Sequence, residues 1–257
     1  MEMALELVTI PCLSDNYAFL VHDVASGATA LIDVPEAGPI LAVLKEKGWT
    51  LDQIWLTHHH DDHIQGVPDM VVTTGAKVLG AKADAHRLPP LDLVVEPGQS
   101  FDFAGEPVEI IDVPGHTVGH IALYLPKSGY AFTADSLMAM GCGRLFEGTP
   151  AQMWDTMQRL SALPPETVIC SGHEYTTGNA RFAASLEPEN PALILRVAAI
   201  AAAREKGQPT VPSLLSDELA TNPFLRAHLP ALKAAVGMEG ASDVDVFAEI
   251  RTRKNNF

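Results

Sequence analysis

Short apolar runs separated by turn residues open the chain. Leu7 to Ile10, Tyr17 to His22 and, after Ser26-Gly27, Ala28 to Asp33 read as antiparallel strands. Between Gly38 and Gly48 the spacing changes. Ile40, Leu41, Val43 and Leu44 fall on one side and Lys45, Glu46 and Lys47 close the segment, which predicts a helix ending near Gly48. Ile54 to Leu56 is the next buried strand. A strand, a helix and a strand in this order predict a parallel pair, with the residues after Leu56 at the carboxyl end of its second strand. Ligand sites of open α/β sheets favour that edge.

After a short helix beginning near Asp62, further strands are predicted at Val78-Leu79, Leu93 to Val95, Val108 to Val113, Ile121 to Leu125 and Tyr130 to Thr133. Thr149-Pro150-Ala151-Gln152 has the form of a capping box, with Thr at the cap and Pro at the first helical position. Met153, Trp154, Met157 and Leu160 then line a face that packs into the core, and Thr167 to Cys170 is the last strand. Beyond Gly172 the segments are Ala-rich and helix-spaced with no strand predicted. The clearest helix starts at Asn190-Pro191, carries Leu193, Ile194, Val197 and Ile200, and closes with Arg204, Lys206 and Gly207. An α/β domain over residues 1–174 and a helical domain over residues 175–257 are therefore expected.

With 257 residues, 47% of them apolar, the chain can bury a full core. Its net charge of -15 argues against a nucleic-acid partner, because such binding rests on Lys and Arg neutralising phosphates. Met1-Glu2-Met3 does not begin a secretory signal, and no apolar run spans a bilayer, the most apolar, Ala192 to Ala203, being broken by Arg196. Cys12, Cys142 and Cys170 are odd in number and widely spaced, which fits a reducing cytoplasm.

The predicted strand at Ile54 to Leu56 runs into Thr57 and then His58-His59-His60-Asp61-Asp62-His63. Imidazole and carboxylate are the usual ligands of zinc and similar ions, so this density predicts a metal site. In an extended segment alternate residues point the same way, so His58 and His60 can hold one ion while His59 points elsewhere. Asp62 and His63, past the bend, aim differently, toward a second ion. His59 and Asp61 are read as supporting or solvent-facing. His116, Asp135 and His173 each lie just past a predicted strand, and together they bring the candidates to a number sufficient for two ions with open positions. Asp135 suits a bridge because its carboxylate has two oxygens. His120 is expected to support a ligand, His22, His86 and His228 have no metal context, and Cys142 reads as a small residue packed between glycines.

Thr57 to His63, Gly115-His116-Thr117 and His173 together resemble the metallo-β-lactamase superfamily. Asp15-Asn16-Tyr17, Gly141-Cys142-Gly143-Arg144-Leu145-Phe146-Glu147-Gly148-Thr149, Gly172-His173-Glu174-Tyr175-Thr176, Asn222-Pro223-Phe224-Leu225-Arg226 and the tail Arg251-Thr252-Arg253-Lys254 narrow the resemblance to glyoxalase II, the hydroxyacylglutathione hydrolases. That resemblance implies an αβ/βα sandwich as the catalytic domain, followed by a helical substrate-binding domain. It also implies hydrolysis of S-lactoylglutathione to D-lactate and glutathione, the second step of methylglyoxal detoxification. Two divalent ions per chain are implied, zinc ahead of iron or manganese. His58, His60 and His116 would hold one, Asp62, His63 and His173 the other, with Asp135 between them. Glutathione contacts are implied at Arg144, Tyr175, Arg251 and Lys254. The family often has Lys and Tyr where this chain has Arg144 and Phe146, so the cation is kept and a hydroxyl is lost.

Two cations sharing a water lower its pKa from about 15.7 toward roughly 7, which gives hydroxide at neutral pH, beside Asp62 and Asp135 as candidate catalytic carboxylates. A thiolate leaving group, with a thiol pKa near about 8.5, departs without a separate acid. The basic tail also suits the carboxyl end of a helix dipole. Other readings are a lactonase of the same superfamily, a two-metal nuclease or phosphodiesterase, which would present a basic surface, and a metal-storage or metal-sensing protein. A one-iron persulfide dioxygenase would leave Asp62 and His173 without a ligand role. The expected partner is a small-molecule glutathione thioester, with no nucleic acid or membrane, bound by a cytoplasmic monomer.

Overall fold

The structure, a computed structural model, describes residues 5–257, so the amino-terminal Met1-Glu2-Met3 lies outside the described residues. The chain forms two compact units. One is the chain up to Val113 together with Val118–Ala134, and the other is Pro114–Thr117 with Asp135–Phe257.

In the first unit β1 (Glu6–Cys12), β2 (Asn16–His22), β3 (Thr29–Ile32), α1 (Ala37–Lys47), β4 (Gln53–Trp55), α2 (Asp61–Ile64), α3 (Val67–Thr74), β5 (Lys77–Ala81) and β6 (Leu93–Val95) follow in order. The strands make one sheet in the order β1-β2-β3-β4-β5-β6, antiparallel as far as β3 and parallel from β3 onward. The parallel pairing of β3 with β4 across α1 is the one expected from the sequence. A meander of β7 (Ser100–Phe103), β8 (Glu106–Asp112), β9 (Ile121–Leu125) and β10 (Tyr130–Ala134) completes the unit.

Alternation along the strands divides their side chains between two faces. Leu20, Leu31, Ile54 and Val78 join Ile40 and Leu44 of α1 and Val67 and Met70 of α3 in one buried cluster. Phe19 and Trp55, one residue out of step, face the meander. Phe19 lies 5.7 Å from Phe132, and Trp55 meets Phe101 and Phe103 edge-on at 5.3 and 5.1 Å. The result is helices on one side of the first sheet and the second sheet on its other side. The sequence reading had neither α3 nor β7. Strand β7 is four residues long, and its burial comes from Trp55 across the sandwich rather than from a pattern of its own.

The second unit contains β11 (Leu137–Met138), β12 (Gly141–Cys142), α4 (Pro150–Ser161), β13 (Val168–Ser171), α5 (Thr176–Leu186), α6 (Pro191–Glu205), β14 (Ser213–Leu214), α7 (Leu215–Thr221), α8 (Pro230–Ala235) and α9 (Asp243–Asn255). The capping box of α4 is formed in full, and Asn190 caps α6. Helix α9 buries Val246, Phe247 and Ile250, with Phe247 5.9 Å from Trp154 of α4 and 5.7 Å from Phe224. The expectation of no strand beyond Gly172 is corrected by β14, which pairs antiparallel with β13 through Ser213 and Leu214. Two residues carry no period, so only the partner strand defines them. Arg196, which interrupts the apolar run of α6, reaches the fully buried Glu218, whose other oxygen accepts the Met140 N–H at 2.7 Å. Among the described residues no helix is long and apolar enough to cross a membrane.

Candidate metal centre

In the first unit the polar loop runs from β4 into α2, and Thr57, His58 and His63 are fully buried. Asp33, one residue past β3, has φ 56, a left-handed conformation that Asp adopts more readily than most side chains. Its Oδ1 accepts the Thr57 N–H at 2.9 Å, and its Oδ2 accepts the Thr57 hydroxyl at 2.8 Å and lies 2.8 Å from His63 Nδ1. A carboxylate only accepts, so His63 carries its proton on Nδ1. The Thr57 hydroxyl proton points to Asp33, so the same oxygen, 3.0 Å from His58 Nδ1, accepts from that nitrogen. Both rings are therefore fixed with the lone pair on Nε2. His58 Nε2 lies 3.2 Å from His60 Nδ1, and His63 Nε2 lies 3.8 Å from Asp62 Oδ2. Asn16 donates to the Asp62 carboxylate and to the Asp62 carbonyl, both at 3.0 Å.

Asp33, His58 and His63 present ligand atoms within 4.8 Å of one another. With both Asp33 oxygens already accepting protein donors, it acts as a holder of ligands. His59 turns away to Asp84, and Asp61 is exposed, as expected for the two positions set aside in the motif. His120 is fully buried, with its ring stacked on His58 at 4.5 Å and 10°. His22 stacks on Trp49 at 3.9 Å as an ordinary core residue.

In the second unit His116 Nδ1 lies 2.8 Å from the Arg144 carbonyl and so donates to it, leaving Nε2 3.4 Å from Asp135 Oδ2. His173 Nε2 lies 3.3 Å from Asp135 Oδ1. Asp135 thus presents one oxygen to each imidazole, as a bridging carboxylate would. Ala134, just before it, stands at φ 40, a conformation that L-residues adopt at a cost. Gly143 explains part of the Gly-Cys-Gly motif. A Cβ there would lie 1.9 Å from the Asp135 carbonyl oxygen and 2.9 Å from His116 Nδ1, so only glycine admits this approach.

The candidate substrate residues of the same unit divide in character. Arg251 is buried, donates to the Cys142 carbonyl at 2.8 Å and lies over the Phe224 ring at 5.0 Å. Lys254 is partly exposed and donates to the Gly178 carbonyl at 3.2 Å. Burial and the charges of Arg251, Arg144 and Arg181 push its pKa below the ordinary lysine value. The Arg144 and Phe146 side chains are exposed, and Tyr175, 45% exposed, stacks on His173 at 4.6 Å and 5°. Burial pushes the Cys142 thiol up to about 11, with Arg251 opposing, so it stays protonated at neutral pH and packs rather than attacks.

Asp33, Asn16 and Asp84, which hold His63, Asp62 and His59, are not singled out by the sequence, although Asp33 stands at the end of a predicted strand and Asn16 within the Asp15-Asn16-Tyr17 motif. A carboxylate at the carboxyl end of the strand beside β4 was the available signal. The imidazole nitrogens and carboxylate oxygens of the candidate ligands, with the protons of His58, His63 and His116 on Nδ1, are a donor set that suits zinc, iron or manganese.

Residues 16–173 match the family model described as the metallo-beta-lactamase superfamily, and residues 174–257 match that of the hydroxyacylglutathione hydrolase C-terminus. A Cereibacter sphaeroides protein named hydroxyacylglutathione hydrolase is 67% identical over 255 residues, covering 99% of this chain and 100% of that protein. The crystal structure of ETHE1 from Myxococcus xanthus superposes with a TM-score of 0.68 at 24% identity, covering 98% of this chain and 92% of that one. TTHA1623 in a di-iron-bound form superposes with a TM-score of 0.55 at 28% identity, covering 65% of this chain and 91% of that one. The fold is the metallo-β-lactamase fold with a helical carboxyl-terminal region. Matched along both its parts and throughout its length, the chain belongs to the hydroxyacylglutathione hydrolase family of the metallo-β-lactamase superfamily.

Proposed function

We propose that this chain hydrolyses S-(2-hydroxyacyl)glutathione thioesters, S-lactoylglutathione among them, to a 2-hydroxy acid and glutathione. The observation that carries the reading is Asp135, with one oxygen 3.4 Å from His116 and the other 3.3 Å from His173, in a chain matched over 99% of its length by a relative named for that reaction. In this reading His58, His60 and His116 hold one divalent ion, Asp62, His63 and His173 hold another, and Asp135 serves both. Zinc is the first expectation, and the same donors accept iron or manganese. When bound, such ions supply Lewis acidity, lowering the pKa of water toward neutrality and drawing electron density from a carbonyl.

The chain's own contribution is orientation. Asp33 and the Arg144 carbonyl keep the imidazole protons on Nδ1, and Asn16 holds Asp62. Water supplies the oxygen that replaces sulfur on the acyl carbon, and the thiolate leaves without a protein acid because its conjugate pKa is near about 8.5. Arg144, Tyr175, Arg251 and Lys254 bind the glutathione part. Burial, and then the charges of Arg251, Arg144 and Arg181, lower the Lys254 pKa, and a substrate carboxylate would relieve the repulsion. In this reading residues 1–174 carry the reaction and the Arg144 contact, and the mainly helical residues 175–257 carry the contacts of Tyr175, Arg251 and Lys254. A reducing cytoplasmic compartment suits Cys12, Cys142 and Cys170, all free and buried.

A steady-state assay on S-lactoylglutathione and on a simple lactone, with metal analysis of the same sample, tests the proposal. Thioester turnover by a metal-loaded sample is expected. Lactone turnover without thioester turnover overturns the substrate, and metal without any hydrolysis overturns the enzyme reading.

A further inference from the structure

We propose that Asp84 is a positioning residue for the histidine loop, gripping His59 on one side so that His58 and His60 aim to the other. The inference rests on the reading of His58 and His60 as metal ligands. Asp84 ends the short turn Lys82–Asp84 after β5, and its side chain is fully buried. Its Oδ2 lies 3.0 Å from His59 Nδ1, and its Oδ1 accepts from Arg87 Nη2 at 2.5 Å. The cation compensates a carboxylate that would otherwise be buried at high cost. The turn is itself tied, because the Asp84 carbonyl accepts the N–H of Arg87 at 2.8 Å and of Leu88 at 3.0 Å. The carboxylate is therefore a fixed point.

Gly119 lies close against that point. A Cβ there would lie 2.1 Å from Asp84 Oδ1 and 2.3 Å from its Cγ, so only a glycine lets this backbone lie against the carboxylate. The next residue, His120, stacks on His58 at 4.5 Å, and the N–H of Ile121 donates to the Thr57 carbonyl at 3.0 Å. The loop is held at Thr57 and His58 by one segment and at His59 by Asp84. Successive side chains of an extended segment point to opposite faces, so a fixed His59 ring sets the direction of both neighbours. This gives His59 a task that its place in the motif alone did not reveal.

The test is zinc affinity of the purified full chain, by competition with a chromophoric chelator, for wild type, His59→Ala, Asp84→Asn and the double variant. Thermal unfolding of each metal-free protein is measured alongside. Each single variant is expected to weaken zinc binding roughly ten- to a hundredfold, the range for groups that orient ligands. The double variant is expected to lose no more than the weaker-binding single, because both residues act through one contact. kcat falls while KM for S-lactoylglutathione stays unchanged. Wild-type zinc affinity in His59→Ala overturns the proposal, as does a double variant whose loss is the product of the two. If Asp84→Asn does not fold, His59→Ala decides alone, since it removes a partly exposed ring and leaves the Asp84–Arg87 pair intact. Wild-type protein that binds no zinc overturns the metal reading and this proposal with it, whereas zinc bound equally by wild type and variants overturns only the positioning.

Discussion

Replacing Asp33 by Asn tests whether one carboxylate fixes the protonation pattern of two imidazoles. The change keeps the volume and removes the charge. The amide oxygen can still accept from Thr57 N–H, but its nitrogen then faces Thr57 Oγ1 and His63 Nδ1, which both donate to the native carboxylate at 2.8 Å. To avoid donor against donor, His63 must move its proton to Nε2. The Thr57 hydroxyl must turn its proton to His58 Nδ1, which moves that ring's proton as well. Two charge-assisted bonds become neutral ones, a loss of about 1 to 2 kcal/mol each and so roughly 2 to 4 kcal/mol in all. For a chain of this size that lowers Tm by roughly 5 to 15 °C. Protons on Nε2 also block the lone pairs offered to metal, so zinc affinity falls by about tenfold or more. Thermal unfolding of the metal-free protein reads the first effect, and chelator competition the second. An Asp33→Asn protein with lowered Tm and wild-type zinc affinity refutes the tautomer argument, and one unchanged in both refutes the hydrogen-bond argument altogether.

Four further outcomes are expected. Lys254→Ala raises KM for S-lactoylglutathione roughly tenfold, the equivalent of about 1.4 kcal/mol, with metal content unchanged. Arg251→Ala raises KM and also lowers Tm, because it strips the Cys142 carbonyl of the donor at 2.8 Å, and wild-type kinetics in both variants would defeat the glutathione assignment. Gly143→Ala forces apart backbone segments that a Cβ would bring to 1.9 Å, so metal content per chain and Tm both fall, whereas a fully loaded variant of wild-type stability would show that the approach is not required. Burial raises the Cys142 thiol from an ordinary 9.0 to about 11, so below pH 9 the group is protonated whether folded or unfolded and has no effect. As pH climbs through that window the unfolded chain loses its proton first and stability drops, by on the order of 2 to 3 kcal/mol. Urea titrations on either side of it should show a flatter profile for Cys142→Ala, and identical slopes would count against the shift.

The legible parts of the sequence were those with a period or a strong local signal. β2, β3, α1 and β4 follow from alternation and from a helix closed by Gly48, and α4 announces itself through its capping box. The candidate ligands were visible because chemistry-bearing residues fell repeatedly at strand ends. What stayed hidden depends on approach between distant segments. Asp33 meets His63 across 30 residues, Asn16 meets Asp62 across 46 and Asp84 meets His59 across 25, and no local pattern encodes those meetings. The same holds for β7, whose phenylalanines matter because Trp55 lies against them, and for β14, which exists only as a partner to β13.

The support of the imidazoles is unequal, and the inequality has a consequence for the proposed pair of ions. His63 is backed directly by the Asp33 carboxylate, His58 reaches the same carboxylate through the Thr57 hydroxyl, and His116 is backed by a main-chain carbonyl. A carboxylate behind an imidazole raises its basicity more than a neutral carbonyl does. His58 and His63 are assigned to different ions, so Asp33 couples the two positions chemically: whatever weakens it weakens a ligand of each. Loss of Asp33 should therefore reduce both metal equivalents together, whereas disturbing the Arg144 carbonyl should touch only the ion held by His116. A titration of Asp33→Asn in which one equivalent binds with wild-type affinity and the other is lost would break that coupling.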